Sequence, residues 1–316
     1  MAQFEKARFP RSGLTRAAWL VIGLAAGAVA FANPSATWAA DDDVRANRIR
    51  VEYEAPKSPA LALFHEVAVR QKALEKVQLL FSPLMLPDEI VVRLKECGVS
   101  NAWYQRPAVT ICYEYVRDVL AMAPKETSRD GVTPVDAVLG QMFYTIAHEM
   151  GHAVFDYLDV PILGRPEDAA DHFAIYILLK IGKQEARKLI VGAAYMYKDY
   201  VGRPVVTVPL TAFADIHGSP MQRFYDLLCI SYGSDPELLA GLVDYLPKER
   251  LPNCKTEYDE VNFAFEKLID PHIDQNVRAQ VLKNWVPGRN RPPPRTTDVP
   301  PSVREAVSEA LQQNLK

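Results

Sequence analysis

The pentapeptide His148-Glu149-Met150-Gly151-His152 has the residue types and spacing that metal-assisted hydrolysis requires. Side chains four apart on a helix stand nearly above one another, so His148 and His152 can direct imidazole nitrogens at one ion. Glu149 is rotated by about 100° from His148, close enough to take a proton from a water beside that ion without ligating it. A catalytic zinc has three protein ligands and keeps a further position for water. Glu167-Asp168-Ala169-Ala170-Asp171 is the obvious source of the third ligand. In this reading Glu167 completes the site, and Asp171, one helical turn on, fixes the ring of a ligand histidine from behind. Asp168 and Asp171 stand as alternative ligands. The same carboxylates would also suit a helix N-terminus that binds nothing, because the dipole favours negative charge there.

The chemistry expected of this set is peptide-bond hydrolysis with one Zn²⁺ as cofactor, Glu149 acting as the general base that passes a proton to the leaving amine. The competing reading is an exported or envelope binding protein whose zinc is structural or whose activity is lost. An intact Glu149 argues against it, since a structural site has no use for a base beside two ligands. His65, His172 and His272 are single histidines without ligand spacing and receive no role.

Elements of both kinds must position these residues. Arg48 to Glu54 alternates Ile49, Val51 and Tyr53 with polar residues, the signature of a half-buried strand. Helical spacing over Leu61 to Phe81 predicts one helix, stopped by Pro83. Three β-type stretches follow, Leu86 to Cys97, Asn101 to Gln105 and Val109 to Tyr113, punctuated by Gly98 and Arg106-Pro107. Pro134 to Tyr157 is helical, with Val135, Leu139, Met142, Phe143, Ile146, Met150 and Val154 as its apolar stripe. Pro166 opens another helix that runs to Gly182, and further helices are expected over Lys183 to Tyr200, Met221 to Ser231, Pro236 to Tyr245 and Tyr258 to Leu268. The fold class is therefore α+β, a small N-terminal twisted sheet with the active-site helix and then a mainly helical half.

Lys6, Arg8, Arg11 and Arg16 precede an uncharged apolar run from Ala17 to Ala32, the layout of a secretory signal peptide over residues 1–40. Residues 41–275 are expected to form the catalytic domain, and 276–316 a Pro- and Arg-rich tail that is mobile over Pro287 to Pro301, with an amphipathic helix possible over Ser302 to Leu315. The whole chain carries a formal charge of −3, and loss of residues 1–40, with four basic and one acidic side chain, leaves −6. Such a surface excludes a nucleic-acid backbone or an anionic lipid surface as the main partner, so a peptide or protein substrate is expected, with no stable membrane insertion once the signal is removed. Four cysteines behind an export signal favour disulfides, Cys97 with Cys112 and Cys229 with Cys254, because each pair encloses a short segment. Location is thus periplasmic or secreted; oligomeric state leaves no trace in the sequence.

The run from His148 to Ala153, followed by Leu158-Asp159-Val160-Pro161-Ile162-Leu163-Gly164-Arg165-Pro166-Glu167-Asp168-Ala169-Ala170-Asp171, resembles the metallopeptidase family DUF4344. So do Glu96-Cys97-Gly98 with Asn101-Ala102 and Tyr104, Ile111-Cys112-Tyr113-Glu114, and the block Asp215 to Gly233, so that the resemblance spans roughly Ile49 to His272. Pro166 departs from the polar residue expected before Glu167, a change a helix start tolerates. The resemblance implies a zincin-like fold with an HExxH zinc site. By analogy with zincins, His217 is the candidate for stabilising the oxyanion, with Arg223 and Tyr232 as weaker candidates for the same role. By the same analogy the stretch Val109 to Tyr113, which precedes the active-site helix, is the edge strand on which an extended peptide could lie.

Overall fold

The strand segments are rich in Val and Ile, the composition of strands covered on both faces. The computed structural model describes residues 45–128, 131–197, 214–239 and 241–285. Two short strands, β1 (Arg45–Ala46) and β3 (Met85–Leu86), pair antiparallel. The main sheet has four strands in the order β2 (Ile49–Tyr53), β4 (Ile90–Lys95), β6 (Ala108–Cys112) and β5 (Ala102–Gln105). β2, β4 and β6 run parallel, and β5 folds back antiparallel on β6 through the turn Arg106-Pro107. Every residue of β6 is buried. The stretch expected as the edge is therefore interior, and the true edge beside it is β5; a two-residue turn makes adjacent strands pair, which covers β6 on its second side.

The helix expected over 61–81 is two, α1 (Pro59–Arg70) and α2 (Ala73–Phe81), separated by Lys72 in the left-handed region at φ 50°. A single helix of that length would extend about 31 Å, against roughly 17–20 Å for strands of five or six residues. Breaking it lets Leu61 and Phe64 on one segment, and Leu74, Val77 and Phe81 on the other, all reach the core. A further helix not anticipated, α3 (Tyr113–Met122), starts directly from the end of β6.

α4 (Pro134–Tyr157) is capped by Thr133, whose hydroxyl accepts the Asp136 amide, with Pro134 at the first position. Its N-terminal half does not bury the expected stripe: Leu139 is exposed, while Ala137, Gly140 and Tyr144 are inside. The cause is α6 (Lys183–Tyr195), which packs Gly192 against Gly140 so closely that a Cβ on either glycine would collide with the other helix's backbone. α5 (Pro166–Lys180) is buried on almost all sides, with Ala170, Phe173, Ala174, Ile175, Tyr176 and Leu178 enclosed. It is the central helix of the molecule.

α7 (Pro220–Ser234) and α8 (Cys254–Leu268) lie against it. Phe155, Phe173, Tyr176 and Phe265 form an aromatic cluster where α4, α5 and α8 meet, with ring centroids 4.8–5.7 Å apart along the chain of contacts. Each such pair contributes about 0.5–1.5 kcal/mol beyond its area. Among the described residues, the helix expected over Pro236 to Tyr245 is turns and one 3₁₀ segment, Val243–Tyr245, because Gly241 adopts φ 92° and ends any regular helix. The tail begins with a helix: α9 (Gln275–Trp285) buries Val281. The segment expected to be a signal peptide, the Pro- and Arg-rich stretch after 286 and the helix expected over Ser302 to Leu315 lie outside the described residues.

Both expected disulfides form. Cys97–Cys112 ties the end of β4 to the end of β6, with Cα atoms 5.5 Å apart, and Cys229–Cys254 joins α7 to the first residue of α8, with Cα atoms 4.8 Å apart. They place the chain in an oxidising environment. Among the described residues no helix is long and apolar enough to cross a membrane.

Candidate metal centre

The last three turns of α4 carry His148, Glu149 and His152, and Gly151 among them determines how near α5 can come. A Cβ at Gly151 would stand 3.1 Å from Phe173, closer than side chains normally approach, so glycine lets α5 lie directly under the histidines. That approach delivers two carboxylates of α5 to two sides of one imidazole. Glu167 Oε2 lies 3.0 Å from His148 Nε2 and 3.3 Å from His152 Nε2, and the two Nε2 atoms are 3.3 Å apart. Three lone-pair atoms thus converge on one point from two helices.

These separations can be compared with what a metal demands. Ligand atoms at about 2.0–2.1 Å from a tetrahedral zinc are separated by about 3.3 Å along each edge. The three distances found match that edge, and the donor set, two imidazoles and a carboxylate, suits zinc. On the other side of His148, Asp171 Oδ1 takes the Nδ1 position at 2.7 Å. Asp168 is turned to Arg165 at 2.9 Å. Of the three acidic residues considered as ligand, Glu167 is therefore the one whose oxygen faces both Nε2 atoms.

His217 comes from the segment just before α7. Its Nε2 is 2.9 Å from the same Glu167 oxygen, its ring is 6.1 Å from that of His148, and its Nδ1 and amide face Asp215. His148, Glu167 and His217 form a group whose donor atoms all lie within 4.8 Å of one another. The structure therefore offers two triples that share His148 and Glu167. In the one with His152 the three atoms meet at tetrahedral spacing and two of them are fixed by one helix.

Burial and charge set the proton affinities. Burial alone would depress the His148 imidazole, but hydrogen bonds to Asp171 and Glu167 outweigh it and raise the ring to about 9. His152 is lowered, by burial first and then by the positive charge of His148. The hydrogen bond from His148 holds Glu167 down at about 2. Asp171 is kept ionised against its burial by His148 and Arg223. Glu149 moves the opposite way, its carboxyl raised by burial, only partly offset by His148. Two neighbouring acids are thus pushed apart, one held as an anion and one made more basic.

The Tyr104 amide faces the Glu149 carboxylate. Cys112 donates its amide to the Asn101 carbonyl, and the alternation of an antiparallel pair then turns the backbone groups of Ala102 and Tyr104 outward from β6. The Tyr104 hydroxyl donates to Asp156, one turn beyond His152 on α4. The outer edge of β5 therefore runs beside the proposed base.

The sequence model of DUF4344, described as "Putative metallopeptidase", matches residues 53–269, more than two thirds of the chain. The chain belongs to DUF4344. No curated protein and no solved structure matches it. The DUF4344 segment contains every element that contributes to the cluster, from β5 through α7.

Two residues considered for the DUF4344 site stand elsewhere than expected. Arg223 faces inward and grips Asp171. Tyr232 lies nine residues along α7 from Arg223, about 13 Å by helical rise, and packs on the hydrophobic core. The Tyr104 amide was missed by reasoning from sequence, and no signal could have found it, since any residue but proline supplies that group.

Proposed function

We propose that this DUF4344 member is a zinc-dependent metallopeptidase with a zincin-like arrangement, the ion held by His148, His152 and Glu167. The observation that carries the reading is the meeting of the two Nε2 atoms and Glu167 Oε2 at tetrahedral spacing beside a buried carboxylate. A zinc ion held there would supply Lewis acidity, polarising a peptide carbonyl and making a water acidic near neutral pH.

The protein's own groups do the rest. Glu149, made more basic by burial, accepts the proton of the attacking water and delivers it to the amine nitrogen as the carbon–nitrogen bond breaks. Asp171 accepts the Nδ1 proton of His148, which would leave the Nε2 lone pair available to a metal. His217, partly exposed beside Glu167, is in a position to donate to the oxyanion. An extended peptide laid along the outer edge of β5 would pair with Ala102 and pass Glu149. The disulfides and the N-terminal segment support action outside the cytoplasm, in the periplasm or the medium.

The test is to purify the exported protein and its Glu149→Gln variant, assay zinc content, and assay both on a broad peptide library. The reading expects close to one zinc in each and a loss of about 10²–10⁴-fold in hydrolysis by the variant. Equal hydrolysis by both would remove Glu149 as base. No cleavage by either, with zinc removal melting the fold, would favour a structural site in a binding protein.

A further inference from the structure

Arg223 is a largely buried charged side chain, 24% exposed, whose guanidinium is turned to Asp171 rather than to the proposed ligand atoms. Its Nε donates to Asp171 Oδ2 at 2.7 Å and its Nη2 to Asp171 Oδ1 at 2.7 Å. This is the parallel two-bond pairing that an arginine fork gives a carboxylate, and it fixes the carboxylate plane as well as its position. Oδ1 also receives His148 Nδ1 at 2.7 Å. Three donors from two other helices therefore converge on one carboxylate of α5.

Several features show that the arginine is itself held. Ser219 and Gln222 form a reciprocal capping box that fixes the first turn of α7, and the Arg223 amide bonds back to Ser219. Tyr115, Tyr144 and Tyr197 lie close enough to interact electrostatically with the guanidinium. Replacing a buried ion pair by apolar groups is often neutral or stabilising, so stability alone is a poor reason for this one. A better reason is orientation: a carboxylate clamped in plane offers His148 a single acceptor direction and so fixes the imidazole's tautomer and rotation.

We propose that Arg223 is a positioning residue of the metal centre, acting through Asp171 to hold His148 Nε2 on the ion. The inference rests on the metal reading above, and it assigns α7 a part in metal affinity although α7 contributes no ligand to the favoured triple. Lysine could keep the charge but not both parallel bonds.

The experiment measures zinc affinity by chelator competition, starting from metal-free protein, for the parent, Arg223→Lys, Arg223→Met and Arg250→Met. Arg250 bridges Asp226 on α7 to Glu257 on α8, so its loss reports the structural cost of weakening α7 away from the centre. Melting temperature and the visible spectrum of the Co²⁺-substituted protein are recorded on the same samples. Arg223→Met is expected to bind zinc about 10–100-fold more weakly than the parent, with an altered Co²⁺ spectrum and Arg223→Lys in between. Arg250→Met should lower the melting temperature while keeping zinc affinity within about twofold, the range expected when a site is untouched.

If Arg223→Met fails to fold, Arg223→Lys decides, and parent-like affinity and spectrum in it overturn the proposal. So does an affinity loss in Arg250→Met equal to that in Arg223→Met at similar melting temperature. A parent that binds no zinc overturns the metal reading itself, and the positioning role falls with it.

Discussion

His148 lies between two carboxylates, and that arrangement has consequences for protons as well as metals. In the metal-free protein the ring is raised to about 9 from an ordinary 6.5, so its contribution to stability is complete below about pH 6.5 and is lost as pH rises through about 9. Glu167 is lowered to about 2 from 4.5 and Asp171 also falls, so their contribution is complete above about pH 4.5 and is lost as pH drops through about 2. The imidazolium and the carboxylates share the same contacts, so the two windows describe one interaction. This contact should therefore contribute most to the stability of the metal-free protein between about pH 4.5 and 6.5. A metal must displace the His148 proton, and calorimetry at pH 7.5 in buffers of different ionisation enthalpy should give at least one proton released per zinc, ionisation of a zinc-bound water adding to it. Zero release would mean that the ion does not take His148 Nε2.

The sequence named the two histidines and the glutamate of the pentapeptide because helical spacing alone puts them together. It left Glu167, Asp168 and Asp171 open because one turn of helix, about 5.4 Å, decides which carboxylate reaches Nε2 and which reaches Nδ1. Arg223 was legible as a cation near the site, but its direction was not, since the acceptor that turns it inward is 52 residues away.

At the scale of elements, the approach of α4 to α5 is the critical dimension. Gly151→Ala puts a methyl group 3.1 Å from Phe173 and must push the two helices apart or turn the ring. Overpacking of this kind costs about 1–3 kcal/mol. Because the ligands straddle that interface, zinc affinity should fall together with the melting temperature; a variant destabilised to that degree with parent-like zinc affinity would show that the ligands do not depend on helix spacing.

Helices α4 to α8 were legible in the apolar spacing, with Pro134 and Pro166 marking the starts of α4 and α5 and Gly182 the end of α5. The split of α1 from α2 was not, because the break at Lys72 answers to the short sheet it covers rather than to any local signal. α3 was hidden for a related reason: Tyr113 and Glu114 extend an apolar strand without a stop residue, and the chain turns helical with both side chains buried. The mistaken edge has a topological cause, since pairing order is settled by the turn that returns β5 to β6.

The whole molecule is held by a helical layer centred on α5 and by two disulfides. The Cys229–Cys254 bond joins residues 25 apart in sequence and pins α8 to α7, the helix that carries Arg223. Its loop length corresponds to about 3–4 kcal/mol in the chain-entropy model. The double variant Cys229→Ala with Cys254→Ala should lower the denaturation midpoint accordingly, and an unchanged midpoint would mean that α7–α8 packing alone fixes this region. The even cysteine count and the close spacing within each pair made these bonds readable, because short enclosed segments are the cheapest to close. Charge balance and composition set the class of partner but not its identity.

The central claim concerns coordination, and X-ray absorption at the zinc edge of the purified, exported protein measures it most directly. The account predicts one zinc with four nitrogen or oxygen neighbours at about 2.0–2.1 Å, outer-shell scattering from two imidazoles, and no sulfur. A spectrum with one imidazole or none, with sulfur neighbours, or a protein that retains no zinc, would contradict it.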